Sequence, residues 1–344
     1  GRLSEYHRAS GFFGSRPTSE DGLPYFCIRI MSELPVRYPL ILNPKAKGEK
    51  GRRALKFIMA NATRFTIYAT RSRQEAIDLA SKFVRDGEDL VIVAGGDGTL
   101  NAVIEGLAGS QTALGVFPTG TMNVFAREMG IPYDKLENAM EVIDGGHSEE
   151  VDLFAMNGAP FVQMAGVGFD AQVIEETTWE SKKRLGPFAY LLAASKVLRC
   201  QPPQLTVTCS DGRVLQGVAM LVGNGSLYGG QFPLFKNASN TDKLLDVIVF
   251  KEAGYQFVKD SLKGLVKGGI DLHSHGDSVD YVQAAGLKVT SKEDVPVEID
   301  GELWGRSTII DFSQTGKTLK VFTPVEPKLK LRYALLRILS PWRD

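Results

Sequence analysis

The sequence predicts an α/β fold in two parts, a doubly wound parallel sheet followed by a C-terminal β-sandwich, and three observations predict it. From residue 38 to residue 107 apolar runs alternate with amphipathic stretches, as they do when helices cover both faces of a parallel sheet. Beyond Gly145-Gly146 the helical periods give way to short apolar strands separated by turn residues, the pattern of a sandwich or open barrel. The chain has 344 residues, enough for two cores at roughly 100 to 200 residues each.

The elements follow in order. Residues 38–42 read as the first strand, closed by Asn43-Pro44-Lys45-Ala46-Lys47-Gly48 at the carboxyl edge where open α/β sheets bind ligands. A helix over 52–61, a strand over 64–69 that Thr70 closes, and a helix over 73–86 come next. Residues 90–94 form a buried strand that opens into Gly95-Gly96-Asp97-Gly98-Thr99-Leu100-Asn101. The glycines remove every Cβ that would hold the backbone away from a bulky anion. Leu100, Val103, Ile104 and Leu107 then recur at helical spacing, so the positive end of a helix faces the same anion, and a triphosphate fits there. Asp97 would repel that ligand unless a cation or donor intervenes, which points to Mg²⁺ or to the phosphate network; an Asp bonded to its own turn is the alternative. A second strand, 115–117, enters Pro118-Thr119-Gly120-Thr121-Met122-Asn123 and leaves as a helix, adding a second set of amides and hydroxyls.

In the second half, strands are expected at 151–155, 161–167, 205–209, 218–222, 245–250, 287–290, 297–299 and 319–323, with one helix starting at Gly186-Pro187. The domains expected are 36–148 and 149–327, flanked by a leader, 1–35, and a basic amphipathic tail, 328–344. The tail suits an anionic bilayer or packing on the first domain. Forty basic and forty acidic side chains cancel, which removes any global attraction to nucleic acid. Cys27, Cys200 and Cys209 lack metal-ligand spacing and suit a reducing cytoplasm. No apolar run approaches the ~18 residues that cross a bilayer, so a soluble protein is expected. His273-Ser274-His275 reads as a solvated loop.

The segment G-G-D-G-T-x-N resembles the nucleotide motif of the diacylglycerol kinase catalytic family. NAD kinases and phosphofructokinases carry a similar G-G-D-G, but further segments resemble this family in the right order from Tyr38 to Pro324. They are the turn after Asn43, Gly115 to Arg127, Gly166 to Ala171, Asn224 to Gly230, Asp242 to Val247 and the D-G-E of Asp300-Gly301-Glu302. The resemblance implies an ATP- and Mg²⁺-dependent lipid kinase, with a membrane lipid as acceptor and diacylglycerol foremost. It implies ATP contacts at Asn43, Thr70, Gly95, Gly96, Asp97, Gly98, Thr99, Asn101, Gly120 and Thr121, with Asn123 shaping the site. It implies Glu302 as proton acceptor, Asp300 orienting it or sharing its network, and Asp97 in the reaction centre. A structural Mg²⁺ would be held by Asp242 and the carbonyls of Ser239 and Leu244. Lys47 and Lys243 stand where the family prefers Gly. The expected setting is cytoplasmic and peripheral to the membrane, with a homodimer left open; the alternatives are a kinase of a soluble metabolite such as NAD or a sugar, and a catalytically silent sensor.

Overall fold

The computed structural model describes residues 37–44, 49–168, 203–228, 230, 232–252 and 279–325. The leader, Lys45 and Lys47, Asp170, the helix expected at Gly186, the His273–His275 loop and the tail lie outside them.

The first part contains β1 (Tyr38–Leu42), α1 (Glu49–Ala60), β2 (Phe65–Ala69), α2 (Arg73–Arg85), β3 (Leu90–Gly95), α3 (Asp97–Leu107), β4 (Ala113–Pro118), α4 (Val124–Glu128) and α5 (Leu136–Asp144). The strands pair in parallel in the order β2-β1-β3-β4. β3 and β4 are buried on both faces, as apolar runs without alternation require. α2 packs on α3, and α5 packs on β4 and α1, which right-handed crossovers place on opposite faces of the sheet. Chain direction across the sheet reverses between β1 and β3, and this switch point carries Asn43 on one side and the glycine turn on the other.

The second part comprises β5 (Ser148–Met156), β6 (Ala159–Phe161), β7 (Met164–Gly168), β8 (Leu205–Cys209), β9 (Val214–Gly217), β10 (Ala219–Gly223), β11 (Leu227–Tyr228), β12 (Phe232–Pro233), β13 (Leu245–Phe250), β14 (Val279–Ala284), β15 (Leu287–Ile299) and β16 (Glu302–Phe322). The order β14-β13-β10-β7-β15-β16 is antiparallel. β15 breaks register between Thr290 and Val295, so its first half pairs with β8 and its last residues with β7. That break folds the strands over a second core that includes Phe154, Val207, Val249, Val289, Val297 and Phe312.

Most expected boundaries shift by a few residues, and three expected elements change more. The strands expected at 287–290 and 297–299 are one, β15, and 319–323 is the far end of the 21-residue β16. The strand expected at 161–167 is interrupted at Val162-Gln163, whose amides turn away to a side chain described below. β16 also has the largest consequence for the fold. After pairing with β15 and β5, it places Val321 beside Leu114 of β4 in parallel register. Leu319 and Val321 thereby join the first core with Val151 and Leu153, so one strand runs from the hairpin at Glu302 into the sheet that carries the glycine turns. Among the described residues, no helix is long and apolar enough to cross a membrane.

Candidate active site

The buried strands β3 and β4 deliver their carboxyl ends side by side. Gly95 pairs with Pro118, and the Thr119 N–H donates to the Gly95 carbonyl at 3.0 Å. Beyond that bond the two turns meet through bare backbone. A Cβ on Gly120 would stand 2.5 Å from the Gly96 Cα, and one on Gly96 would stand 3.2 Å from the Gly120 Cα. Such an approach requires glycine. Gly95 is constrained from within, because a Cβ there would lie 2.7 Å from the Thr99 Cβ.

Helix α3 is capped by Gly96, and its first helical bond runs from the Leu100 N–H to the Gly96 carbonyl at 3.0 Å. The amides of Asp97, Gly98 and Thr99 precede that bond, at the positive end of the helix. Asp97 turns to the neighbouring turn and accepts the Val124 N–H at 2.8 Å. Burial raises its pKa above the usual carboxylate value, opposed by the amides of Val124, Asn123 and Phe125, and least by its own. Asp97 therefore ties the first turn to the second. Asn43 closes the switch point from the other side, its N–H on the Ala94 carbonyl at 3.1 Å and its side-chain amide donating to the Thr99 hydroxyl at 2.8 Å.

The second turn closes on itself. Asn123, at φ +48, accepts the Gly120 N–H at 3.0 Å and donates to the Gly120 carbonyl at 2.9 Å. The Gly120 amide, expected to face a ligand, is engaged inside the turn, and Gly120 lets the two turns meet by lacking a side chain. Thr121 beside it is exposed. Thr70 is joined to β1 rather than to the turns, its N–H and hydroxyl both on the Leu42 carbonyl at 2.9 and 3.4 Å. Asn101 lies one turn further along α3.

The acidic group opposite comes from the β15–β16 hairpin. Ile299 pairs with Glu302, leaving Asp300-Gly301 as a two-residue turn with φ +49 and +83, the backbone of a type I′ turn. Asp300 accepts the amides of Gln163 and Met164 at 2.9 Å each and that of Val162 at 3.2 Å. Burial raises its pKa to about 6, the three amides pull it down, and the charge of Asp97 adds to the rise. Its carboxylate thus anchors the hairpin to the segment between β6 and β7. Glu302, next along, reaches the first lobe: a Cβ on Gly98 would collide with its Oε1, so the carboxylate lies against the first turn of α3. Asn43, the first glycine turn, Gly120 and Glu302 are brought together.

The expected structural-metal residues form a separate cluster before β13. Asp242 accepts the Leu244 N–H at 2.9 Å, and the Ser239 hydroxyl is 3.1 Å from that of Thr241. Asp152 accepts the Lys243 N–H at 2.7 Å. Burial first, then the charge of Asp152, raises the Asp242 pKa. Lys243 adopts φ +61, the backbone for which the family pattern uses Gly, at a cost of roughly 1 kcal/mol, and the residue is exposed. Among the described residues, no group of three or more His, Cys, Asp or Glu is placed to hold a metal. A hard cation still fits one carboxylate and two carbonyls, because it would offset the charge that Asp152 places beside Asp242.

One residue escaped sequence reasoning. Glu128, at the end of α4, accepts from the Gln163 side chain at 3.0 Å, the Leu227 N–H at 2.8 Å and the Ser226 hydroxyl at 2.9 Å, linking the lobes. A single Glu closing a short helix carries no signal that separates it from a solvated one. Buried Asn224 donates to the carbonyls of Asp152 and Val162 at 2.9 and 2.8 Å, a fold contact of the N-x-x-x-Y-G-G segment.

Residues 37–156 match the family described as diacylglycerol kinase catalytic domain, and residues 163–323 match the YegS C-terminal NAD kinase beta sandwich-like domain. A diacylglycerol kinase of Staphylococcus carnosus is 30% identical over 304 residues, which cover 85% of this chain and 96% of that protein. One of Staphylococcus aureus (strain MRSA252) is 30% identical over 300 residues, covering 84% and 92%. A crystal structure of a diacylglycerol kinase from Bacillus anthracis superposes with a TM-score of 0.67 at 28% identity, covering 84% of this chain and 97% of that one.

Proposed function

The chain belongs to the diacylglycerol kinase family of enzymes, and from that premise we propose that it transfers the γ-phosphoryl group of ATP to a lipid hydroxyl, diacylglycerol being the acceptor and phosphatidic acid the product. One observation carries this reading: the Glu302 carboxylate, from one lobe, lies against Gly98 where α3 opens in the other. Phosphorylating an alcohol needs an acceptor for the hydroxyl proton close to the bound phosphates.

The polyphosphate would rest on the α3 amides of Asp97, Gly98 and Thr99 and against the second turn, with the Thr121 hydroxyl beside it. Glu302 would take the proton as the hydroxyl oxygen bonds to the γ-phosphorus and the bridging bond to ADP breaks. Asp300 fixes the hairpin, and Asp97 fixes the spacing of the turns. Mg²⁺ bound with the nucleotide supplies charge neutralisation of the phosphates. A second Mg²⁺ would be held by Asp242 and the carbonyls of Ser239 and Leu244. The lipid would be met at the surface of a membrane with which the protein associates peripherally.

The test is incubation with total lipid extract and γ-labelled ATP, with identification of the labelled product. Labelled phosphatidic acid is expected, and Glu302→Gln should lower turnover by about 10²-fold or more while ATP binding holds. Label in a soluble alcohol or in NADP without labelled lipid overturns the acceptor assignment. Full turnover by the Glu302→Gln variant removes it as the base.

A further inference from the structure

The hairpin that carries Glu302 breaks its own ladder two residues later. Glu298 pairs with Leu303 and Val297 with Gly305, so Trp304 stands outside the register as the extra residue of a β-bulge. Gly305 after it takes φ +150, a conformation side chains rarely adopt. Bulges beside active sites re-aim a side chain. Leu303 is 44% exposed and Trp304 43%, and Trp304 is the one aromatic among the large apolar side chains exposed in the described residues. Its Cα lies within about 7 Å of that of Glu302, the span of two residues.

An acyl glycerol brings its apolar part close to the reacting hydroxyl, because the ester-linked chains start on the neighbouring carbons. With that hydroxyl at Glu302, apolar surface is needed within a few ångströms on the same hairpin. An indole offers such a face together with an N–H for an ester carbonyl. We propose that Leu303 and Trp304 form the acceptor's apolar contact, holding an acyl-bearing glycerol so that its free hydroxyl meets Glu302. This rests on the lipid-kinase reading above and adds to it the acceptor subsite and a specificity residue. A soluble polyol, lacking acyl chains, gains nothing from the contact.

The experiment uses the full chain with 1,2-dioleoylglycerol in nonionic detergent micelles. Trp304→Ala should raise the KM for dioleoylglycerol about 10-fold, with kcat within about two-fold and the KM for ATP unchanged, and Trp304→Phe should restore most of the loss. Trp304 is then followed by fluorescence in a Trp179→Phe, Trp342→Phe background. Its emission should shift to the blue with micelles containing dioleoylglycerol and not with detergent alone. An unchanged KM for dioleoylglycerol, an equal rise in the KM for ATP, or no lipid-dependent shift in an active enzyme overturns the inference and leaves the lipid-kinase reading intact. A wild-type protein that phosphorylates only soluble alcohols overturns both.

Discussion

Asp300 and Glu302, two residues apart, meet opposite surroundings. Three backbone amides occupy Asp300, whereas Glu302 is exposed at the lobe boundary. Asp300→Ala should therefore act on stability, costing on the order of 2–4 kcal/mol through three unanswered amides and lowering Tm. Glu302→Gln should leave Tm unchanged and remove turnover; comparing melting curves with rates separates the two. A third carboxylate predicts pH dependence. Asp246 is fully buried in β13, accepts from the Tyr281 hydroxyl and from Gln283 at 3.2 Å, and burial raises its pKa to about 6. Unfolded, it titrates near 3.9, so between about pH 4 and 6 the folded state holds the extra proton, and stability falls as pH rises through that window. Two units correspond to at most about 3 kcal/mol. Asp246→Asn keeps an acceptor for Tyr281 and Gln283 and removes the charge. Its pH–stability curve should be less steep than wild type between pH 4 and 6, with the slope from Asp300 remaining, and should equal or exceed wild type at pH 7, as read by denaturant unfolding. A wild-type slope in that variant would show that the charge is not penalised there.

At the scale of elements, the two glycine turns predict opposite outcomes for one kind of change. Gly120→Ala sets a Cβ 2.5 Å from the Gly96 Cα, where only backbone could yield. It should separate the turns, lower Tm and weaken ATP binding by about 10-fold or more, measured by calorimetry. Gly98→Ala meets only the end of the Glu302 side chain, which can swing aside. In helix α3 alanine is favoured over glycine by about 1 kcal/mol, so Tm should hold or rise while kcat falls, because the carboxylate has moved. Loss of Tm in Gly98→Ala would mean that backbone, not Glu302, fills that space. These turns were legible in the sequence because their cause is local: apolar run, glycines and helical period are contiguous. The strands β1, β8 and β13 were read to the residue for the same reason. The interruption at Val162-Gln163 was not, since its cause is Asp300, 137 positions from Gln163. Nor was the length of β16, because its exposed middle, through Gln314 and Lys317, lacks the alternation that marks a strand.

At the scale of the molecule, the site depends on two lobes keeping one spacing, and alternation along a chain cannot reveal a relation between lobes. Both glycine turns belong to the first lobe and Glu302 to the second. Three features hold them: β16 runs from the hairpin to Leu114 of β4, Asn240 donates to the Met129 sulfur at 3.1 Å, and Glu128 gathers three donors from across the boundary. Of these, the two side-chain contacts can be removed without touching the ladders of either sheet, and Glu128 carries more of them. Glu128→Ala removes the acceptor of the Leu227 N–H and the Ser226 hydroxyl, costing about 1–3 kcal/mol. Because both nucleotide turns lie on its own side, ATP affinity should change less than about two-fold. Transfer needs the Glu302 carboxylate within a fraction of an ångström of its place, so kcat should fall by about 10- to 100-fold. Glu128→Gln, which retains one acceptor oxygen, should fall between the two. Calorimetry for ATP beside steady-state turnover tests this division of labour. If ATP affinity falls in step with kcat, Glu128 supports the second turn through α4, and the spacing of the lobes is set by β16 and the Asn240–Met129 contact.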